Sequence, residues 1–242
     1  MKVSRLTAAL VAVIPSIAGA QIYSGVDYAT GLHGYRGNSD ATRLLFTTNT
    51  GAGLVTNLEG AGLNAFNLGG GITASLSGSQ ASVTNFQTAN TGYNTTAGGN
   101  YFYQFTTSSF GGSGTLTLNF DHAVNSFGAY FTGVEWGFGL TLADADGFSY
   151  TLPSSGDGDV VNHCNCAAPA GIQFFGVHSN TAFSSVTFTL TDQPNGRDIF
   201  GIDDIYLGNN VNVTPEPASL ALVGTGLVGV AAFVRRRRMS RG

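Results

Sequence analysis

The sequence predicts an all-β protein: an antiparallel, two-sheet, jelly-roll-like sandwich over residues 21–208, flanked by two hydrophobic terminal segments. Three observations predict it. From Gly114 onward, apolar and polar residues alternate with the period of two that sends successive side chains to opposite faces of a strand. Strand candidates recur at intervals of about 8 to 15 residues, separated by Gly, Asn, Asp and Ser clusters and by no helical period, which is the pattern of sandwiches and barrels. Glycine supplies 35 of 242 residues, about twice the usual ~7%, and only 10% of residues are charged.

In chain order, residues 1–20 read as a secretory signal peptide. Lys2 and Arg5 form the positive start, Leu6 to Ile14 the apolar stretch, Pro15 the break, and Ala18-Gly19-Ala20 an A-x-A cleavage site that leaves Gln21 as the first mature residue. Its partners are then the Sec translocon and signal peptidase. Residues 21–53 are weakly patterned. Tyr23, Val26 and Tyr28 alternate loosely, and Arg43-Leu44-Leu45-Phe46 is a strand candidate.

Between Leu54 and Thr107 short strands alternate with turns; Gly71 to Leu76 and Asn100 to Phe105 are the best of them. Leu116, Leu118 and Phe120 then alternate with threonines, Asp121-His122 reads as a turn, and Val124 to Phe131 as the next strand. Phe138 to Leu142 and Phe148 to Leu152 form a hairpin around Asp144-Ala-Asp146-Gly147. Ile172 to Val177, Val186 to Leu190 and Phe200 to Tyr206 complete the set. Residues 209–214 are a short polar linker.

The last segment, 215–242, has three parts. Pro215-Glu216-Pro217 blocks helix and sheet, because each proline fixes φ and lacks an N–H. Residues 218–234 carry no charge and, as a helix, span ~25 Å, the lower limit for crossing a bilayer. Arg235, Arg236, Arg237 and Arg238 then begin a basic end, 235–242, that stays on the cytoplasmic side. Gly224-Thr-Gly226-Leu-Val-Gly229 matches a dinucleotide-binding pattern. It lacks the preceding strand and the later acid that such a fold needs, and its glycines read as small residues of a membrane helix.

This order of motif, apolar helix and arginines resembles the PEP-CTERM sorting tail. The resemblance implies an exported protein of a Gram-negative, exopolysaccharide-producing bacterium. The protein is held at the inner membrane by its C-terminal helix and cut near Pro-Glu-Pro by an exosortase, then placed in the envelope or extracellular matrix, where exopolysaccharide is a candidate partner. Asn119-Phe120, Ser126-Phe127-Gly128, Phe174 to Val177 and Gly201 to Ile205 also resemble a β-sandwich region recurrent in such proteins, over roughly residues 71–208. That region implies a fold and no chemistry.

The residues between Gln21 and Thr214 carry three arginines against thirteen acidic residues, a balance of −10. An acidic body argues against nucleic acid, which needs a basic footprint. Calcium is the one cofactor for which donors are present, at Asp144, Asp146, Asp157 and Asp159, with Asp203-Asp204 as further oxygens. The competing reading is turn chemistry, which Asp-x-Asp-Gly serves equally well. Strand neighbours point to opposite faces, so at most one of Asp203 and Asp204 is expected toward the core.

Cys164 and Cys166 are the only cysteines and form a candidate disulfide, strained across a single residue. With His163 they supply three soft ligands where structural zinc wants four. Trp136, Tyr101 and Tyr103 are a candidate sugar platform, against the reading that strand aromatics are core. Asn94 and Asn212 each head a glycosylation sequon.

Catalytic signals are weak. There is no nucleophile elbow and no His-Glu-x-x-His, and the one option is a glycosidase dyad in which Glu59 or Glu135 pairs with an aspartate. The sequence thus favours a non-enzymatic structural or adhesive protein, then a calcium-dependent carbohydrate-binding module, then a glycan hydrolase.

Overall fold

Two strands of twenty residues organise the body, and each serves both layers of a sandwich. They belong to a computed structural model that describes residues 20–27, 32, 35–63, 66–88, 91–109, 111–133, 140–144, 149–152, 171–191 and 199–209. For residues 140–144 and 149–152 and for Thr191 it describes the backbone alone. Residues 1–19 and 210–242 lie outside the described residues, so of the signal segment only Ala20 is described and of the sorting tail none.

The elements are β1 (Gln21–Asp27), α1 (Gly37–Thr50), β2 (Gly53–Thr56), β3 (Asn67–Gly69), β4 (Ile72–Ser77), β5 (Ser79–Thr84), β6 (Phe102–Thr107), β7 (Ser113–Thr132), β8 (Leu140–Asp144), β9 (Ser149–Leu152), β10 (Ile172–Thr191) and β11 (Ile199–Gly208). All the strand pairs are antiparallel. The expected β8–β9 hairpin is present, with Leu140 opposite Leu152 and Ala143 opposite Ser149.

The expected all-β sandwich is met, and its two layers are halves of one hydrogen-bonded sheet. The first half of β7 pairs with β4 and with the second half of β10, from Ser113 opposite Thr191 to Asn119 opposite Ser185. The second half of β7 pairs with the first half of β10, from Ser126 opposite His178 to Thr132 opposite Ile172. Register shifts between His178 and Ser185 mark the fold between the halves, and bulges bend strands in this way. The two layers face one another across the main core. Phe131 and Phe127 of one meet Phe188 of the other at 5.5 and 5.9 Å between ring centroids.

Two sequence expectations fail at this fold line. Asp121-His122 is no turn, because β7 runs through it with both side chains exposed. The segments Ile172 to Val177 and Val186 to Leu190 are one strand, β10. Polar residues at a bend in a long strand look, in sequence, like the end of a short one.

The strand expected at Arg43 to Phe46 is part of α1. Its C-terminus is conventional: Gly51 adopts φ 65° and its N–H donates to Thr47 O at 3.0 Å, the left-handed cap that glycine suits. Its N-terminus is capped from a distance. Asp27, at the end of β1, accepts from the backbone N–H of Asn38 at 3.0 Å and of Ser39 at 2.8 Å, and from the Ser39 hydroxyl. The donors left open by a first helical turn are thereby met by a residue a strand away, which no local capping pattern reveals.

Phe46 is the one large side chain that α1 buries, and it enters a second, aromatic core with Tyr23, Tyr93, Tyr130, Phe174 and Tyr206. Ring centroids of Tyr23 and Phe174 lie 5.3 and 5.5 Å from that of Phe46. Gly128 and Gly176 make room for it. A Cβ at either would fall 2.7–2.8 Å from Phe46 or Phe174 ring carbons.

Candidate functional site

β11 reads Phe200-Gly201-Ile202-Asp203-Asp204-Ile205-Tyr206, and its two aspartates break the alternation. Ile202 and Ile205 both point into the main core, so two residues sit where a regular strand has one. Opposite them on β7, Asp203 faces Tyr130 and Tyr206 faces Gly128, leaving Asp204 and Ile205 against Ala129 alone. This is a β-bulge, and Asp204 takes it up at φ 46°, a left-handed conformation that aspartate tolerates better than most residues. Both aspartates are consequently buried, at 0% and 9% exposure. Neither aspartate enters the main core, which Ile202 and Ile205 face; both are buried against the 93–99 segment, in keeping with the expectation that at most one could turn toward the core.

The bulge occupies a gap. On that edge of β11, β6 pairs with Ile199 to Ile202 and β2 with Ile205 to Leu207, leaving Asp203 and Asp204 between them. The 93–99 segment closes the gap. Asp203 Oδ2 accepts from Thr95 N–H at 2.6 Å and Thr96 N–H at 3.4 Å. Asp204 Oδ1 accepts from the Thr96 hydroxyl at 2.8 Å.

Thr95 Oγ1 lies 3.0 Å from Asp203 Oδ2 and 2.8 Å from Asp204 Oδ2. A hydroxyl has one proton to donate, so two linear bonds here require a second proton on one of the carboxyls. The electrostatics agree. Burial, then the charge of Asp204, push the Asp203 carboxyl up to about 7, against the hydrogen bonds from Thr95. Asp203 Oδ1 is buried with no hydrogen-bond partner among the described residues, a poor setting for a full negative charge.

Beside this lock an open pocket of about 450 Å³ is lined by Arg36, Tyr93, Ile172 and the 95–99 turn. Arg36 donates through Nη1 to Thr95 O at 2.7 Å, pairs through Nε with Asp40 at 3.2 Å, and lies 5.7 Å from the Tyr130 ring centre. The Tyr130 hydroxyl donates to Asp40 and accepts from Arg43 Nε at 3.0 Å. Burial, reinforced by that bond to Asp40, raises the Tyr130 phenol and keeps it neutral. Sequence reasoning passed over Arg36, Asp40, Thr95, Thr96 and Tyr130. The one local signal was the doubled aspartate inside an otherwise apolar strand.

The residues singled out from sequence are scattered. Tyr103 is fully buried in the main core, so its ring has no face for a sugar, and the platform loses that member. Tyr101 is half-buried and packs against the same core. Glu59, one of the two glutamates offered for a glycosidase dyad, accepts through Oε1 from Asn100 N–H at 2.7 Å and Tyr101 N–H at 2.9 Å. Asn94, a sequon head, is buried and donates to Thr96 O at 3.0 Å.

Asp144 ends β8, where the backbone alone is described. Trp136, Glu135, Asp146, Asp157, Asp159, Cys164 and Cys166 lie outside the described residues. Among the described residues no three His, Cys, Asp or Glu side chains are grouped to hold a metal, and no helix is long and apolar enough to cross a membrane.

Residues 213–238 match the PEP-CTERM protein-sorting motif. The chain carries a PEP-CTERM sorting motif at these residues. The motif implies an exported protein that an exosortase processes at the cell envelope. No curated protein sequence matches this chain.

Among solved structures, its body is similar to a mutant of CBM29-2, a family 29 carbohydrate-binding module, at 13% identity and a TM-score of 0.37, covering 69% of this chain and 99% of that one. It is also similar to another structure of a carbohydrate-binding module of family 29, at 13% identity and 0.38, covering 70% and 97%. A third likeness is to an arabinose-bound α-L-arabinofuranosidase, at 14% identity and 0.40, covering 66% of this chain and 26% of that one. At this level of similarity none of their ligands transfers to this chain.

Proposed function

We propose that this protein is a non-enzymatic, structural or adhesive component of the cell envelope or extracellular matrix, built on a jelly-roll-like body. The observation that carries the reading is what its carboxylates do. Asp203 and Asp204 hold the 93–99 segment onto the sheet, Asp27 caps α1, Glu59 fixes the backbone at Asn100 and Tyr101, and Asp40 ties Arg36 to Tyr130. Acidic groups committed to backbone donors and buried hydroxyls serve the scaffold.

In this reading Sec-dependent export removes residues 1–20. The helix 218–234 spans the inner membrane with Arg235 to Arg238 on its cytoplasmic side, and exosortase cuts near Pro215-Glu216-Pro217. The test uses the full chain in a host that carries an exosortase. Replacing Glu216 by Ala, or Arg235 to Arg238 by Gln, is expected to leave the protein at its unprocessed mass in the inner membrane. Unchanged mature mass and location in both variants contradict the sorting reading.

The pocket supports a second reading, carbohydrate binding. The Arg36 guanidinium and an open turn at 96–99 suit a neutral or carboxylated sugar. Asp144, Asp146, Asp157 and Asp159 remain the calcium donors proposed for such a module. Glycan-array binding that is lost in Arg36→Ala and weakened by EDTA would establish this reading. Binding to no glycan, with unfolding unchanged by calcium or EDTA, leaves the structural one.

A further inference from the structure

We propose that Gln21, as the mature N-terminal residue, cyclises to pyroglutamate. The inference rests on the cleavage after Ala20 proposed above and goes beyond it. That cleavage leaves β1 whole, because its pairing with β10 begins at Gln21 opposite His178 and runs to Asp27 opposite Ile172. It also frees an α-amino group on a residue whose own side-chain amide can close a five-membered ring with it. The Gln21 side chain is exposed, so ring closure meets no packing.

The step balances without an oxidant or an energy donor. The α-nitrogen, as the neutral amine, adds to the Cδ carbon of the side-chain amide, and a C–N bond forms. The Cδ–Nε2 bond breaks, and ammonia leaves with the proton shed by the amine.

The surroundings favour the product. Ala20 is partly buried against the main core, so the nitrogen uncovered by its departure emerges at an apolar edge. An ammonium group set against apolar surface loses hydration. The residue paired opposite offers no charge to compensate. His178 is buried, its imidazole is held toward neutrality chiefly by burial, its Nδ1 meets the Ser126 hydroxyl at 2.8 Å, and its Nε2 has no hydrogen-bond partner among the described residues. The lactam is neutral and retains one N–H. It also closes β1 to aminopeptidases. β1 carries Asp27, so trimming from this end would remove the cap that holds α1.

The test reads the N-terminal peptide of the full chain expressed in a Gram-negative host that carries an exosortase. Free amines are dimethylated at lysis, before digestion, so that later ring closure is not counted. The expected peptide begins at residue 21, lacks one ammonia, carries no N-terminal label, and accepts label once pyroglutamyl aminopeptidase has removed the ring. A Gln21→Ala chain is expected to be labelled at its N-terminus and to lose β1 residues faster to a general aminopeptidase. A labelled peptide with Gln21 at full mass overturns cyclisation and leaves the cleavage reading standing. A mature chain that begins elsewhere, or keeps residues 1–20, overturns both.

Discussion

The two halves of β7 share a strand and differ in what covers them. From Ser113 to Phe120 one face packs on the main core and the other carries Thr115, Thr117 and Asn119, partly open to solvent. From Val124 to Thr132 every residue is buried. Phe127, Ala129 and Phe131 enter the main core, while Gly128 and Tyr130 face the aromatic layer beneath α1. β10 shows the same contrast in reverse order, buried throughout from Ile172 to Ser179 and alternating from Ser185 to Leu190. A single helix thus converts half of a one-sided sandwich layer into a two-sided one, and the polar residues that hold the helix form the candidate site.

The largest test of this contrast is Phe46, the side chain through which α1 covers the sheet. Phe46→Ala is expected to cost about 3–5 kcal/mol, as for other buried aromatics, read as a loss in denaturant midpoint with m unchanged. A cost near that of a surface substitution would mean that the helix does not cover the layer. Gly128→Ala is expected to cost about 1–3 kcal/mol through overpacking against Phe46 and Phe174. Combined with Phe46→Ala it should cost clearly less than the sum, because one of the two rings it meets is gone.

The cap comes next. Asp27→Ala should lose about 0.5–2 kcal/mol and raise amide exchange over the first turn of α1, leaving the β4–β7 amides protected. On the open face, Thr117 Oγ1 and Thr187 Oγ1 meet at 2.9 Å across the strands. Thr117→Ala should cost only about 0.2–1 kcal/mol in the same unfolding assay.

Legibility in the sequence follows the same division. Where one face of a strand meets solvent, as in Gly114 to Phe120, alternation is clean and the strand can be read directly. Where both faces are covered, as in Ser126 to Thr132, the run is continuous and carries no period. The reason for it, α1, was hidden. Its one buried aromatic gives no amphipathic stripe, its asparagines and threonines have low helix propensity, and its N-terminal cap is donated by Asp27 ten residues before it begins. The site was half-visible. Asp203-Asp204 stood out in an apolar strand, but the bulge that turns both toward the 93–99 segment depends on where β6 ends and β2 begins. Their partners Thr95 and Thr96 lie over a hundred residues away in sequence.

The claim at the centre of this account is that the buried aspartate pair serves the scaffold, and pH-dependent unfolding of wild type and Asp203→Asn tests it most directly. The Asp203 carboxyl is raised in the folded protein from 3.8 to about 7, so the folded state holds this proton more tightly than the unfolded chain. Its contribution to stability is fully present below about 3.8 and is lost as pH rises through about 7. The account predicts that wild-type stability falls across that window and that Asp203→Asn, which keeps an uncharged group of similar shape, folds and loses that slope. An unaltered slope in the variant would contradict it.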